Sequence, residues 1–327
     1  MNRRAGAMGP FSSGSVAPAP PLPHFLGYRV PYDWTGTLGY LRARATPGVE
    51  AVTGEGGGRY WRTLRAGGCR GCIAVSPGPR PDALRLELAA ELLPAAAIVG
   101  ARMRRLFDLD ADPAAVAGHL RADSLLAPLV ARRPGLRLPG AADGFELALR
   151  AVLGQQVTVR GASTLAGRLV RLVAEPMDDG PALAGAYPAP LTHFAVTAER
   201  LADASVASLA RIGLPRARAG CVLALARAAA EGALPELTGG PTAGDPGEFV
   251  RRLTGLPGIG PWTAAYVAMR ALPWPDAFPE HDLGLRKAMG RLSPAGLRAR
   301  AEPWRPWRAY AAQHLWASLG RGRPGPA

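Results

Sequence analysis

Lysine is almost missing from this 327-residue chain, and Lys287 is the only one. The 39 Lys and Arg residues against 25 Asp and Glu leave a formal net charge of +14, which arginine carries nearly alone. One amine leaves little scope for imine chemistry, whereas guanidinium forks grip phosphate in bidentate fashion. Cysteine is scarce too. Cys69, Cys72 and Cys221 are too few for a disulfide framework or for a four-cysteine zinc or iron–sulfur site. Cys69-Arg-Gly-Cys72 has the spacing of a redox pair, but it lies in a strand-like run without a following helix and reads as two chance thiols. Five scattered histidines (His24, His119, His193, His281, His314) show no ligand spacing, so no structural metal cluster is expected. No apolar run approaches a membrane span, and none follows Arg3 and Arg4 as an export signal requires. The expectation is a cytoplasmic, monomeric protein with no membrane association and a polyanionic partner.

What is present supports a folded protein of two or three units, since 48% of the residues are hydrophobic. Residues 1–27, rich in Pro, Gly, Ala and Ser, read as a disordered tail, with Met8 a candidate start. Residues 28–100 read as a small α+β domain with an antiparallel sheet. Its helix is expected over Asp33 to Ala45 and its strands at Tyr60-Trp-Arg-Thr-Leu, Cys72-Ile-Ala-Val and Leu84-Arg-Leu-Glu-Leu. From 101 to 320 helix patterns follow one another, with starts read at Pro113, Gly144, Gly161, Ala198, Ser205, Pro215, Pro246, Pro261, Asp282, Pro294 and Trp307 and no internal repeat. Residues 321–327 read as a second tail. The fold class is therefore α+β, an N-terminal sheet domain followed by a large all-α region.

Within that region, Leu256 to Ala268 reads LPGIGPWTAAYVA. Glycine costs about 1 kcal/mol in a helix interior and proline about 3 kcal/mol, so the stretch forces two helices to turn. Gly258 and Gly260 can take positive φ, and Pro261 suits the first position of the next helix. The tip would present unpaired N–H groups, a natural anion site; an ordinary glycine-capped connection is the alternative. About twenty residues on, Phe278-Pro-Glu-His-Asp-Leu-Gly-Leu-Arg places Asp282 at a helix start, where N-capping worth about 1 kcal/mol is the plain reading. Trp262 and Tyr266, spaced i, i+4, share a helix face and suit either a core or a stacking surface.

GLPGIGPWTAAYVAMRAL followed by FPEHDLGLRKAMG resembles the helix-hairpin-helix DNA glycosylases. The resemblance narrows to the AlkA-type DNA-3-methyladenine glycosylases II through Val30-Pro-Tyr-Asp-Trp, Met103-Arg-Arg-Leu-Phe-Asp-Leu, Arg133-Pro-Gly-Leu-Arg-Leu-Pro-Gly, Ala151-Val-Leu-Gly-Gln-Gln and Trp304-Arg-Pro-Trp-Arg-Ala-Tyr-Ala. It covers about residues 28 to 320 in order. By this resemblance Asp282 is the catalytic carboxylate. Gly258, Ile259 and Gly260 form the hairpin that holds DNA phosphate, with a monovalent cation (Na+ or K+) at Gly258 and Gly260. Trp262, Tyr266, Trp316 and Tyr40 surround the base pocket, and Gln155 and Gln156 form the loop that enters the duplex. The family also carries an apolar wedge where Gln156 stands here.

The implied activity is hydrolytic excision of alkylated purines, such as 3-methyladenine and 7-methylguanine, from double-stranded DNA, leaving an abasic site for base excision repair. The base must leave the stack to be reached. For a cationic base, electron-rich ring faces would add about 0.5–2 kcal/mol of attraction. Asp282 would stabilise positive charge developing on the sugar and orient the attacking water. Relatives with lyase activity carry a lysine just after the hairpin glycines, where this chain has Trp262, and Lys287 would lie about 140° around a helix from Asp282. A monofunctional enzyme is therefore expected, with Glu280 and His281 near the pocket rim. The competing readings are a glycosylase for deaminated or etheno bases and a non-catalytic DNA clamp. A metal-dependent nuclease is disfavoured, because no carboxylate cluster accompanies Asp282.

Overall fold

The computed structural model describes residues 23–55, 57–177, 191–238, 245–272 and 274–319. Residues 1–22 and 320–327, read above as tails, lie outside the described residues.

The chain opens with β1 (His24–Gly27) and α1 (Trp34–Arg44), then β2 (Glu50–Thr53), β3 (Arg59–Ala66), β4 (Cys69–Pro77) and β5 (Ala83–Leu88). These strands form one antiparallel sheet in the order β1-β5-β4-β3-β2. Ala66 pairs with Cys69, so β3 and β4 are joined by two residues alone, Gly67 and Gly68. Both have positive φ (55° and 79°), the conformation whose twist matches a two-residue hairpin and which glycine adopts without a Cβ clash. Along β5, Leu84, Leu86 and Leu88 point into the core while Arg85 and Glu87 face away. That core also holds Tyr60, Ile73 and Val75 and is closed by Val99, Met103 and Leu106 of α2 (Ala96–Leu106).

Two expected boundaries are corrected here. Strand β1 lies inside the span assigned to the tail, so the sheet domain starts at His24; four residues at a sheet edge carry no readable alternation, and only pairing with β5 defines them. Helix α2 crosses residue 100, because its buried face belongs to the sheet core. The two thiols of β4 are free, Cys69 half-buried and Cys72 buried. Burial, with Glu91 nearby, pushes the Cys72 thiol up to about 11, the opposite of an activated redox cysteine.

The helices that follow are α3 (Pro113–Leu120), α4 (Ala127–Arg132), α5 (Gly144–Leu153), α6 (Val159–Val173), α7 (Ala198–Ala202), α8 (Val206–Arg211), α9 (Arg216–Ala230) and α10 (Pro235–Thr238). Then come α11 (Pro246–Thr254), α12 (Pro261–Ala271), α13 (Leu283–Ala288), α14 (Pro294–Ala301) and α15 (Arg308–Leu319). Most begin where expected because a capping side chain sits in place. Asp112, Asp143, Thr158, Ser205, Asp245 and Ser293 each accept from the backbone N–H of the turn they start. Strand β2 and helices α4 and α10 have no counterpart in the sequence reading. All three are short and lack a strong period.

The helices pack into two cores. One is built from α5, α6, α9, α11 and α12 with α7 and α8. The other joins α3 and α4 to α13, α14 and α15. Helix α12 serves both, through Val267 and Ala268 to the first and Met269 to the second. Its remaining face borders the cavity described next.

Candidate active site

Between α11 and α12 the chain turns in the short span that carries Gly258 and Gly260. Gly258 has φ +83°, and a Cβ there would lie 2.9 Å from Cβ of Cys221 and 3.1 Å from its Sγ. Two independent constraints thus demand glycine. Gly260 does not use that freedom: its φ is −85° and ψ 171°. It precedes Pro261, whose ring disfavours helical backbone at the preceding residue, and it is extended. Its Cβ position meets nothing within 4 Å, which leaves the backbone open to an approaching group. Ile259 contributes backbone only, since its side chain is buried in the core beneath. Among the described residues the N–H groups of Gly258 and Gly260 make no hydrogen bond, and α12 directs the positive end of its dipole to the same place.

At the two positions where the resemblance implies a monovalent cation, the carbonyl of Gly258 accepts from Nε2 of Gln155 (3.0 Å) and that of Gly260 from the N–H of Ala264 (3.1 Å), and each keeps a second lone pair. The free N–H donors beside them suit an anion. The first of these bonds also bears on the loop after α5. Gln155 donates to Gly258 and to Oγ1 of Thr263 (3.1 Å) and so clips the loop to the hairpin. Gln156, exposed and held at φ +56°, is the residue the loop presents.

Alongside the hairpin lies a cavity of about 820 Å³ lined by Tyr40, Trp262, Tyr266, Arg270, Asp282 and Trp316, among others. Trp262, Tyr266 and Arg270 stand at i, i+4 and i+8, one face of α12. Tyr40 arrives from α1, Trp316 from α15, and Asp282 from the start of α13. The capping expected of Asp282 is in place. Its Oδ1 accepts from the N–H of Leu285 (2.7 Å), capping α13, and from Nε1 of Trp316 (2.9 Å); its Oδ2 accepts from Nε1 of Trp262 (2.7 Å). Two indoles therefore fix a carboxylate at the cavity wall. The other acids that line the cavity are engaged elsewhere: Asp33 caps α1 and bonds Arg133, Asp143 caps α5, and Glu50 and Glu146 flank Arg62. Glu280 bonds Arg298 and, like exposed His281, lies off the cavity lining. Lys287 is exposed on the far part of α13.

The aromatic cluster is not the open set of ring faces expected from the sequence. Trp262 stacks on Tyr266 with centroids 5.4 Å apart and planes 13° from parallel, so no base fits between them. Tyr266 meets Trp316 edge-on at 6.3 Å, and its hydroxyl lies 3.1 Å from that of Tyr40. The guanidinium of Arg270, 2% exposed, sits 4.7 Å from the Tyr40 ring, 5.0 Å from Tyr266 and 6.0 Å from Trp316. Nη1 and Nη2 of Arg270 are anchored on Pro139 O (2.5 Å) and Oε1 of Gln313 (3.0 Å). Burial lifts Tyr40 to about 12, whereas for Tyr266 the opposing charges of Arg270, Arg44 and Arg150 outweigh burial and lower the hydroxyl. The rings thus already hold a cation, and the expected cation–π advantage for a charged base is reduced. Arg44, Arg150 and Arg270 escaped the sequence reading; only Arg270 left a signal there, its i+8 position from Trp262.

Residues 24–143 match the AlkA N-terminal domain family, beginning at the first residue of β1. DNA-3-methyladenine glycosylase 2 of Escherichia coli is 39% identical over 295 residues, 90% of this chain and 97% of that protein. The chain belongs to the AlkA-type DNA-3-methyladenine glycosylases. A probable bifunctional transcriptional activator/DNA repair enzyme AlkA of Mycobacterium tuberculosis is 41% identical over 321 residues; the match spans 97% of this chain and 60% of that longer relative. Among solved structures, a 3-methyladenine DNA glycosylase from Archaeoglobus fulgidus superposes with a TM-score of 0.75 at 21% identity, over 90% of this chain and 97% of that one. The latter likeness bears on the fold. The α+β architecture inferred from sequence is that of this family.

Proposed function

We propose that this chain is a monofunctional DNA glycosylase that extrudes an alkylated purine from duplex DNA and hydrolyses its bond to the sugar. The observation that carries the reading is Asp282, a carboxylate held by Trp262 and Trp316 on the wall of a cavity that adjoins a phosphate-type hairpin. A base in a duplex cannot reach such a wall without leaving the stack. Backbone donors at Gly258 and Gly260 grip a phosphate, and Gln156 enters the space the base vacates.

In the reaction the C1′–N bond breaks and its electron pair leaves with the base. An alkylated, cationic base departs neutral and needs no general acid. Positive charge develops on the sugar, where the fixed carboxylate of Asp282 opposes it. Water then attacks C1′ and loses its proton to Asp282 or to solvent, leaving an intact abasic strand. Trp262 and Trp316 contribute by orienting the carboxylate without solvent reorganisation. Among the described residues no amine faces the site, because Trp262 occupies the first turn of α12 and Lys287 is exposed.

Methylated duplex DNA provides the test. Wild-type protein is expected to release free 3-methyladenine or 7-methylguanine, resolved by chromatography, while the strand stays unbroken until alkali is added. Strand cleavage without alkali, or borohydride trapping of the protein on DNA, would defeat the monofunctional assignment. Tight binding without release would favour the clamp. The hairpin is tested separately by Gly260→Asp, which the open space at that Cβ tolerates. A carboxylate facing phosphate should raise the Kd by at least about tenfold, equally for lesion and undamaged duplex in anisotropy titrations. A loss confined to lesion DNA would contradict the backbone role.

A further inference from the structure

Few large apolar side chains are exposed among the described residues, and four of them stand at the mouth of the cavity. Val157, in the loop after α5, and Val159, the first residue of α6, are exposed and line one side. Leu319, the last residue of α15, is exposed and lines the side of Asp282 and Trp316. Leu283, the first residue of α13, follows Asp282 directly and is 75% exposed, the most of any large apolar residue described. The next residue is Gly284, where a Cβ would lie 3.4 Å from Cδ1 of Leu319 and 3.6 Å from Cδ1 of Trp316. The two leucines therefore share one edge of the mouth. Between the valines, Thr158 engages its hydroxyl on the N–H of Gly161 (3.1 Å).

Single apolar residues scattered over a surface need no explanation, but a set of them around one opening does. What covers this set follows from Asp282. Reaction at C1′ brings the sugar to that carboxylate, and the Cα of Leu283 is one peptide step, about 3.8 Å, from that of Asp282. The base fills the cavity and the phosphate takes the free N–H groups of the hairpin, which leaves the carbon face of the deoxyribose at the mouth. We propose that Val157, Val159, Leu283 and Leu319 form an apolar collar that closes on the deoxyribose of the extruded nucleotide and shuts bulk water out behind it. The collar makes no charged contact and reads no base, so it favours an extruded nucleotide whatever the lesion. A stacked duplex keeps its sugars in the helix and does not reach it. With bulk water excluded, the local dielectric falls and Asp282 acts more strongly on the charge at C1′. The attacking water is one enclosed with the nucleotide, for which a cavity of about 820 Å³ has room.

The collar presupposes the glycosylase reading of the same cavity, but its test needs no base release. Anisotropy titrations of the full chain compare a duplex carrying a tetrahydrofuran abasic site, whose sugar swings out freely, with the same duplex undamaged. Leu283→Ser, at an exposed helix start, should keep the wild-type Tm and raise the Kd for the abasic duplex about tenfold. The undamaged duplex should bind as it does to wild type. Leu283→Met should recover most of the affinity, and Val159→Ser, on the opposite side, should weaken binding in the same selective way. Because the lost contact is apolar, the slope of log Kd against log salt should stay at the wild-type value. Equal weakening on both duplexes overturns the collar, as does a wild-type Kd for the abasic duplex in both serine variants. So does a Leu283→Ser variant that turns a wild-type dimer into a monomer in sedimentation while both Kd values stay unchanged, since a second copy of the chain then covers the patch. Each of these results leaves the glycosylase reading standing. If wild type binds the two duplexes alike, no nucleotide is extruded, and the collar and the glycosylase reading fail together.

Discussion

Asp282→Asn should bind lesion DNA like the wild type and release base at least ~10²-fold more slowly, the scale of a preorganised electrostatic contact. The geometry explains why binding survives. Asparagine is as good an N-cap as aspartate, so its Oδ1 can still accept from Leu285 and Trp316, and α13 keeps its start. The amide nitrogen then faces Nε1 of Trp262, a donor against a donor where the wild type has a 2.7 Å bond. That local conflict costs about 1–3 kcal/mol and leaves the hairpin untouched. What is lost is the negative charge beside C1′, which matters only as the bond to the base breaks. Single-turnover release and anisotropy on the same duplex separate the two effects. Equal release by the variant and the wild type would remove Asp282 from the chemistry.

Gly258→Val should lower both stability and DNA affinity, unlike Gly260→Asp two residues away. Valine at φ +83° is a strained, β-branched outlier, worth about 1–3 kcal/mol of backbone energy. Its Cβ would also overlap Cys221, which is 2% exposed in the core below and has nowhere to move. The hairpin must lift, and lifting it breaks the bond from Gln155 to the Gly258 carbonyl, so the hairpin and the Gln156 loop lose register together. A fall in Tm of several degrees is expected with a roughly tenfold weaker Kd for any duplex. Cys221→Ala should recover only the steric part, because the φ penalty remains. A variant with wild-type Tm and affinity would show that the turn adopts another conformation.

These two variants also mark how far the sequence can be read. The helix starts at Pro113, Gly144, Pro246 and Pro294 were legible because capping and proline chemistry act within three or four residues. Strand β5 was legible through the alternation of Leu84, Leu86 and Leu88. Strand β1 was not, because its definition lies in β5, about sixty residues away along the chain. The extended backbone of Gly260 has a local cause in Pro261, which disfavours helical backbone at its predecessor. The clip made by Gln155 is tertiary, since nothing near it in the chain shows that its amide closes on a carbonyl 103 residues further on.

By itself the sequence determined the α+β order of elements, the hairpin with its glycine at 258, the capping position of Asp282 and the tryptophan, not lysine, that follows the hairpin at 262. Each depends on the conformational preferences or identities of a few neighbouring residues. The tertiary structure alone decided that Trp262 and Trp316 both turn their indole N–H toward Asp282, and that Tyr40 meets Tyr266 across 226 residues of chain. It alone placed Arg270 among rings that read from sequence as free, and left Nη1 of Arg150 without an acceptor. The reason is physical. Local preferences act over a helical turn, whereas the charge and hydrogen-bond balance of a cavity is set by side chains from α1, α5, α12, α13 and α15 that meet only when the cores pack.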